Sequence, residues 1–227
     1  MKKVSIVVPI YNERGTLLKI IDRIEKAETL GLKKEIILVD DGSTDGTRDI
    51  LKTLEDKYEV FYHKKNQGKG GALRTGFQKA TGDIILVQDA DLEYDPKEYP
   101  LLLRPILEGK TDAVYGSRLL KSNPKFRQAY YWGGVLISWL TNILYGSRLT
   151  DVSTCYKAFR APALKSLELK TNGFEFEVEV TIKALKKNYN ILEVPIDYSP
   201  RTFAEGKKIR ARDGLILIWH ILKDKFN

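Results

Sequence analysis

The sequence predicts an α/β fold in which a mostly parallel central sheet carries helices on both faces. Three observations predict it. Short β-branched apolar runs alternate with segments of apolar spacing near 3.6 through the first half of the chain, which is the βαβ pattern of a parallel sheet. Two of those runs end in paired aspartates, Asp40-Asp41 and Asp89-Ala90-Asp91, on the rim where open α/β sheets collect their ligands. The 227 residues, 43% apolar and 30% charged, suffice for one large domain with an ordinary globular core.

Taken in order, Lys3 to Pro9 reads as a buried strand and Thr16 to Leu30 as a helix. Glu35 to Val39 is a second buried strand, Thr44 to Tyr58 a helix and Val60 to His63 a short strand. Gly68-Lys69-Gly70-Gly71 reads as a flexible loop leading into a helix over Ala72 to Ala80, and Asp83 to Val87 as a further buried strand. Beyond about residue 118 the pattern changes. Asn123 to Trp132 is rich in aromatic and basic residues; Trp132 to Leu149 and Phe176 to Lys187 read as helices, and Ile191 to Ile196 as a strand. Arg201 to Arg212 is a basic loop around Gly206, and Gly214 to Phe226 an apolar closing helix.

Lys and Arg outnumber Asp and Glu by 38 to 30, a formal charge of +8, which favours an anionic partner. The basic residues gather in one loop rather than along a helix or a repeated stripe, which argues against nucleic acid. The lone Cys155 excludes an intrachain disulfide. The longest apolar stretches, Gly133 to Tyr145 and Leu215 to Leu222, fall short of the roughly 20 residues that span a bilayer. The expectation is a cytoplasmic protein without its own membrane span.

Chemistry concentrates at the strand ends. Asp89 and Asp91, one residue apart, suit a shared hard cation such as Mg²⁺ or Mn²⁺ that also grips diphosphate oxygens, and Glu93 offers a third oxygen. Asp40 and Asp41 suit a base N–H or ribose hydroxyls, although Asp41, Ser43 and Thr44 equally suit a turn and helix cap. Tyr11 and Glu13 follow the first strand, where they suit stacking on a base and contact with a ribose or base edge, although the same residues equally suit a strand end and helix start. Arg201, Lys207, Lys208, Arg210 and Arg212 form a segment suited to phosphate.

The ordered set Val7-Val-Pro-Ile-Tyr-Asn-Glu13, Val39-Asp-Asp-Gly-Ser-Thr-Asp-Gly-Thr47, Asn66-Gln-Gly-Lys-Gly-Gly-Ala72 and Asp89-Ala-Asp91 resembles glycosyltransferase family 2 and its GT-A fold. The resemblance continues through Tyr115-Gly-Ser-Arg118, Asp151 to Lys157, Gly173 to Glu177 and Val194-Pro195. Within the family the chain is most similar to the dolichol-phosphate mannose synthase and polyprenyl-phosphate glucosyltransferase group.

That resemblance implies one catalytic domain over 1–227. A nucleotide-sugar-binding half would cover 1–118, and an acceptor-side half would cover 119–227 with the basic loop 201–212 and the C-terminal helix. It implies that Pro9, Tyr11, Glu13, Val39 and Asp41 line the nucleoside pocket, with Asp40, Lys69 and Ala90 as further candidates for donor binding. Asp89, Asp91 and Glu93 would hold the metal, though relatives often carry Gln at the third position. Arg118 and Arg127 would face an acceptor phosphate, and Arg201 with Lys207 and Lys208 would close over the donor diphosphate. The implied donor is GDP-mannose or UDP-glucose and the implied acceptor a polyprenyl phosphate. A phosphate acceptor needs no general base; a hydroxyl acceptor would need one, with Asp151 or Glu177 as candidates, and a non-catalytic nucleotide-sugar-binding partner is the remaining alternative. Trp132, Trp139 and Trp219, flanked by Arg127, Arg148, Lys223 and Lys225, suit either a membrane interface or core helices. A membrane partner subunit is the other route to the bilayer.

Overall fold

The computed structural model describes residues 1–124, 128–202 and 205–226. Among them, seven strands form one sheet: β1 (Lys3–Ile10), β2 (Lys33–Asp40), β3 (Glu59–Tyr62), β4 (Ile84–Val87), β5 (Ala113–Ser117), β6 (Lys157–Arg160) and β7 (Ile191–Pro195). Their spatial order is β3-β2-β1-β4-β6-β5-β7. All pairings are parallel except those of β6, which runs antiparallel between β4 and β5.

Side chains alternate across a strand, so the continuous apolar runs of β1 and β2 feed two cores at once. Val7, Ile37, Val39, Ile85 and Val87 point to one face. That face is covered by α3 (Lys69–Lys79), α5 (Gln128–Tyr145), α6 (Ala161–Lys165), α7 (Phe176–Lys186) and α8 (Ala211–Phe226). Val4, Ile6, Val8, Leu38 and Leu86 point to the other, covered by α1 (Leu17–Lys26), α2 (Thr47–Lys52) and α4 (Tyr99–Leu107). Gly76 lets α3 lie against β1, because a Cβ there would come within 2.2 Å of Val7 Cγ1.

Several elements depart from the sequence reading, each for a local reason. The first helix stops at Lys26 because Ala27 is extended and Leu30 and Gly31 take positive φ. The second helix is confined to Thr47–Lys52: it starts after Gly46 at φ +93°, with Asp45 Oδ1 accepting the Thr47 N–H at 3.0 Å. Lys69 to Gly71, expected to be flexible loop, form the first turn of α3. The amides of Gly70 and Gly71 donate to Gly173 O and Asn172 O, and a Cβ on Gly70 would meet Thr171 O at 2.6 Å. α8 begins at Ala211, three residues early, where Asp213 Oδ2 accepts the Arg210 N–H at 2.6 Å. β5, β6 and α4 had no counterpart in the sequence reading.

Candidate active site

The parallel strands β1, β2 and β4 all release the chain at one edge, because Val7 is level with Val87 and Ile10 with Asp40. The segments after them therefore converge on a cavity of about 820 Å³. Pro9, Tyr11, Glu13, Asp41, Lys69, Asp89, Ala90, Asp91 and Glu93 line it, together with Arg118, Arg201, Lys207 and Lys208.

Two of the expected pocket residues point elsewhere. Val39 has no exposed surface and belongs to the core beneath α3. Asp40 is equally buried, and its carboxylate accepts from Arg48 Nε and Nη2 at 2.8 and 2.6 Å and from the Ser43 amide. The period of two explains Asp40: neighbouring strand residues face opposite ways, so Asp41 alone of the pair turns to the cavity; Val39 shares the face of Asp41 but lies one step deeper, under α3. Asp41 Oδ1 accepts the Gln67 amide at 2.9 Å and Oδ2 the Gly68 amide at 2.8 Å. His63, outside every motif, lies 2.7 Å from Asp41 Oδ1 through Nδ1 and 2.9 Å from Thr75 Oγ1 through Nε2. Asp41 thus fixes the glycine-rich turn ahead of α3.

Gln88, the last residue before the aspartate pair, is fully buried. Its amide donates to Asp89 O at 3.0 Å and Tyr94 O at 3.3 Å, while its carbonyl accepts from Tyr99 and Tyr156, each at 3.0 Å. This pins both ends of the turn that presents Asp89 and Asp91. Burial alone would raise the Asp89 carboxyl, but Lys69, 2.8 Å away, holds it below the usual carboxylate range. Asp91 goes the other way. Burial first, then the charges of Asp89 and Glu93, push it up to about 7 against the pull of Arg201.

Glu93 departs from its expected part as a third metal ligand. Its Oε2 accepts from Tyr198 Oη at 2.7 Å, and its Oε1 from the Arg201 amide at 2.7 Å and Lys207 Nζ at 2.8 Å. No group of three metal-ligating side chains forms among the described residues. What remains is the pair Asp89 and Asp91 beside open cavity, a donor set that fits Mg²⁺ or Mn²⁺ completing its shell with diphosphate oxygens and water. A divalent cation would relieve the carboxylate repulsion that adds to burial in raising Asp91.

The basic segment folds over this acidic group. Arg201 reaches Glu13 with Nη1 at 3.1 Å and Nη2 at 3.2 Å, and Asp91 Oδ2 with Nη2 at 2.9 Å. Lys208 Nζ contacts Glu13 Oε1 and Tyr11 O. Arg118 forms a two-pronged pair with Asp151, both contacts at 2.7 Å, and Asp151 also accepts the Arg118 amide. Arg127, expected beside Arg118, lies outside the described residues. Glu177 sits between two lysines, its Oε1 3.2 Å from Lys69 Nζ and its Oε2 bound by Lys157 Nζ. Lys157, Gln88, His63 and Tyr198 carry no local sequence signal of these roles, except that Gln88 adjoins the aspartate pair.

On the outer side α5 and α8 lie together, with Tyr145 Oη donating to Ile221 O at 2.9 Å. Each leaves a large apolar stripe in solvent: Trp132, Leu136, Trp139 and Ile143 on α5, and Leu215, Trp219, Leu222 and Phe226 on α8. Among the described residues no helix is long and apolar enough to cross a membrane.

Residues 5–167 match the family model Glycosyl transferase family 2. The chain is 32% identical over 212 residues to a dolichol-phosphate mannosyltransferase of Pyrococcus furiosus, covering 90% of this chain and 59% of that protein. It is 31% identical to an undecaprenyl-phosphate mannosyltransferase of Micrococcus luteus, covering 90% and 87% of the two chains. Similarity at 30% identity extends to a UDP-N-acetylglucosamine–dolichyl-phosphate N-acetylglucosaminyltransferase of Methanococcus voltae, covering 92% and 91%. In three dimensions the chain resembles glucosyl-3-phosphoglycerate synthase of Mycobacterium tuberculosis, solved with Mn²⁺, UDP and phosphoglyceric acid. The TM-score is 0.77 at 22% identity, covering 99% of this chain and 79% of that one. The same enzyme solved with Mg²⁺ and UDP gives a TM-score of 0.75.

Proposed function

Because the chain belongs to glycosyltransferase family 2, we propose that it transfers a hexose from a nucleotide diphosphate to a polyprenyl or dolichyl phosphate, inverting the anomeric carbon. The donor proposed is GDP-mannose, with UDP-glucose as the alternative; the similarity to two mannosyltransferases acting on lipid phosphates supports this order.

The observation that carries the phosphate acceptor is the state of the two carboxylates that would otherwise serve as base. Asp151 is clamped by Arg118 and Glu177 by two lysines, and both are almost fully buried. A hydroxyl acceptor needs its proton removed, whereas a phosphate arrives as the anion.

In this mechanism Pro9, Tyr11, Glu13 and Asp41 hold the nucleoside end of the donor, and Lys69, Arg201, Lys207 and Lys208 donate to its diphosphate. Mg²⁺ or Mn²⁺ on Asp89 and Asp91, when bound, supplies Lewis-acid stabilisation of the departing diphosphate. Arg118, with Arg127, brings the acceptor phosphate towards the donor. An acceptor oxygen forms the new bond to the anomeric carbon from the face opposite the leaving group, and the diphosphate departs with the electron pair. The basic segment, folded over the acidic cluster, excludes water and limits hydrolysis. The product is a β-linked hexosyl phospholipid.

Such an acceptor places the enzyme at a bilayer. The twin apolar stripes of α5 and α8, with Lys223 over the Trp219 ring at 4.7 Å and Lys225 nearby, support peripheral attachment to the anionic cytoplasmic face.

The test is turnover of purified protein with GDP-mannose or UDP-glucose and Mg²⁺ or Mn²⁺, with and without polyprenyl phosphate in detergent. Release of nucleotide diphosphate that depends on the lipid phosphate, with a glycolipid formed, is expected. Release supported by a sugar hydroxyl and not by lipid phosphate would reject the acceptor.

A further inference from the structure

Asp89 and Lys69, both used in the reaction just described, end a buried chain of alternating charge whose inner members, Glu177 and Lys157, that reaction does not use. Lys69, the first residue of α3, spans both oxygens of Asp89, at 2.8 and 3.0 Å. The same ammonium faces Glu177 Oε1, in the first turn of α7, at 3.2 Å, an ion pair without hydrogen-bond alignment. Glu177 Oε2 is held from behind by Lys157, the first residue of β6, which has no exposed surface. Lys157 also donates to Val152 O at 3.2 Å and to Thr154 O, and lies 4.8 Å from the centre of the Tyr115 ring.

Such a chain is a poor device for stability alone, since buried ion pairs are commonly matched or bettered by apolar residues of the same volume. Its geometry serves another end. Lys69 spans both oxygens of Asp89, so a cation stands across the bidentate edge of that carboxylate. A metal ion sharing Asp89 with Asp91 competes with that ammonium for the carboxylate's charge, and the ammonium then needs another anion to lean on. Glu177 is that anion, already within ion-pair distance, and Lys157 holds it in place. The close backbone packing of Gly70 against Thr171 and Asn172 ties the start of α3 to the approach to α7, so the two stations cannot drift apart.

We propose that Glu177 is a positioning residue for the metal site: it offers Lys69 a second partner and so sets how strongly Lys69 competes with a divalent cation for Asp89. The inference rests on the reading of Asp89 and Asp91 as the metal ligands. It assigns Glu177 no proton transfer and no contact with substrate.

The experiment is a titration of the protein with Mn²⁺ alone, free Mn²⁺ being read by electron paramagnetic resonance, on the wild type, Glu177→Gln, Lys69→Met and the double variant. Glu177→Gln leaves Lys69 with Asp89 only, and Mn²⁺ affinity is expected to fall about tenfold, in the range seen when outer-shell partners are removed. Lys69→Met removes the competitor and is expected to tighten Mn²⁺. Adding Glu177→Gln to Lys69→Met is expected to change little, since the effect runs through Lys69. Glu177→Asp keeps the carboxylate but shortens its reach, so it gives a smaller loss and serves should the glutamine variant not fold. Unchanged Mn²⁺ affinity in Glu177→Gln and Glu177→Asp would overturn the proposal. An equal loss with and without Lys69 would overturn it too, leaving Glu177 a purely structural part. Failure of the wild type to bind Mn²⁺ would instead remove the metal reading, and this inference with it.

Discussion

Arg201 Nη2 stands 2.9 Å from Asp91 Oδ2, so the cation of the basic segment and the carboxylate of the strand end are already paired before any donor arrives. The same guanidinium spans Glu13, joining the ends of β1 and β4 through a residue more than a hundred positions further along the chain.

Replacing Arg201 by alanine therefore has two opposite effects. Asp91 loses a competitor, so Mn²⁺ titrated without donor should bind more tightly. Turnover should fall by roughly 10²- to 10³-fold, the usual loss when one preorganised donor to a developing negative charge is removed. Arg201→Lys should recover only part of that loss, because an ammonium lacks the planar fork that spans Glu13 and Asp91 together. Loss of both metal binding and turnover would show that Arg201 builds the site rather than competing within it.

Asp151→Asn separates the two acceptor chemistries. A general base typically contributes about 10²- to 10⁴-fold, and loss of that size at saturating donor would make Asp151 the base for a hydroxyl. If its task is to hold Arg118, the larger change should be a raised KM for the acceptor, with kcat within about tenfold of the wild type.

The exposed stripes make a prediction about membranes that requires no turnover. Trp139→Glu combined with Trp219→Glu should abolish co-flotation with vesicles containing anionic lipid and leave the unfolding temperature nearly unchanged, because both rings are more than half exposed. Wild-type protein that fails to float would move attachment to a membrane partner subunit.

Far from the site, Glu35 supplies a pH dependence. Burial would raise its carboxyl, but hydrogen bonds from Lys3, Ser5 and Thr81 outweigh that and bring it down to about 2, from an ordinary 4.5. A carboxyl depressed in the folded state binds its proton more readily once unfolded. Its stabilisation is therefore complete above pH 4.5 and is lost as pH falls through about 2. Glu35→Gln should be less stable than the wild type at pH 7, with the gap closing in acid. Denaturant melts at pH 7 and pH 2.5 compare the two, and an equal gap at both would remove Glu35 from the acid response.

What could be read from the sequence followed from locality. Asp41, Asp89 and Asp91 end apolar runs that can hardly be anything but strands, and a parallel sheet brings such ends to one rim whatever else the chain does. Arg201, Lys207 and Lys208 read as one basic group from composition, and all three line the cavity. A motif names neighbours together, but the strand turns the Asp40 side chain to the face opposite Asp41, and the Val39 side chain lies deeper under α3. Glu93 looked like a ligand from its spacing alone; Tyr198 and Lys207, more than a hundred residues away, decide where its oxygens go. Lys157 and Gln88 stayed hidden for a like reason: burial among distant partners gives them their significance. β6, Lys157-Ala-Phe-Arg160, holds no β-branched residue and so gives no strand signal, and only its insertion between β4 and β5 reveals what it does.

That insertion bears on how the protein can be made and divided. The strand that delivers Asp89 and Asp91 is flanked on one side by β1 and on the other by a strand some seventy residues later. A ribosome that has released only the first 118 residues has not yet synthesised the second neighbour, and β4 waits with a bare row of amides and carbonyls, an invitation to pair with another chain. The two halves are thus stitched through the middle of the sheet rather than joined at its border. A gene split near residue 118 should yield an insoluble first fragment, rescued only when the second is made beside it.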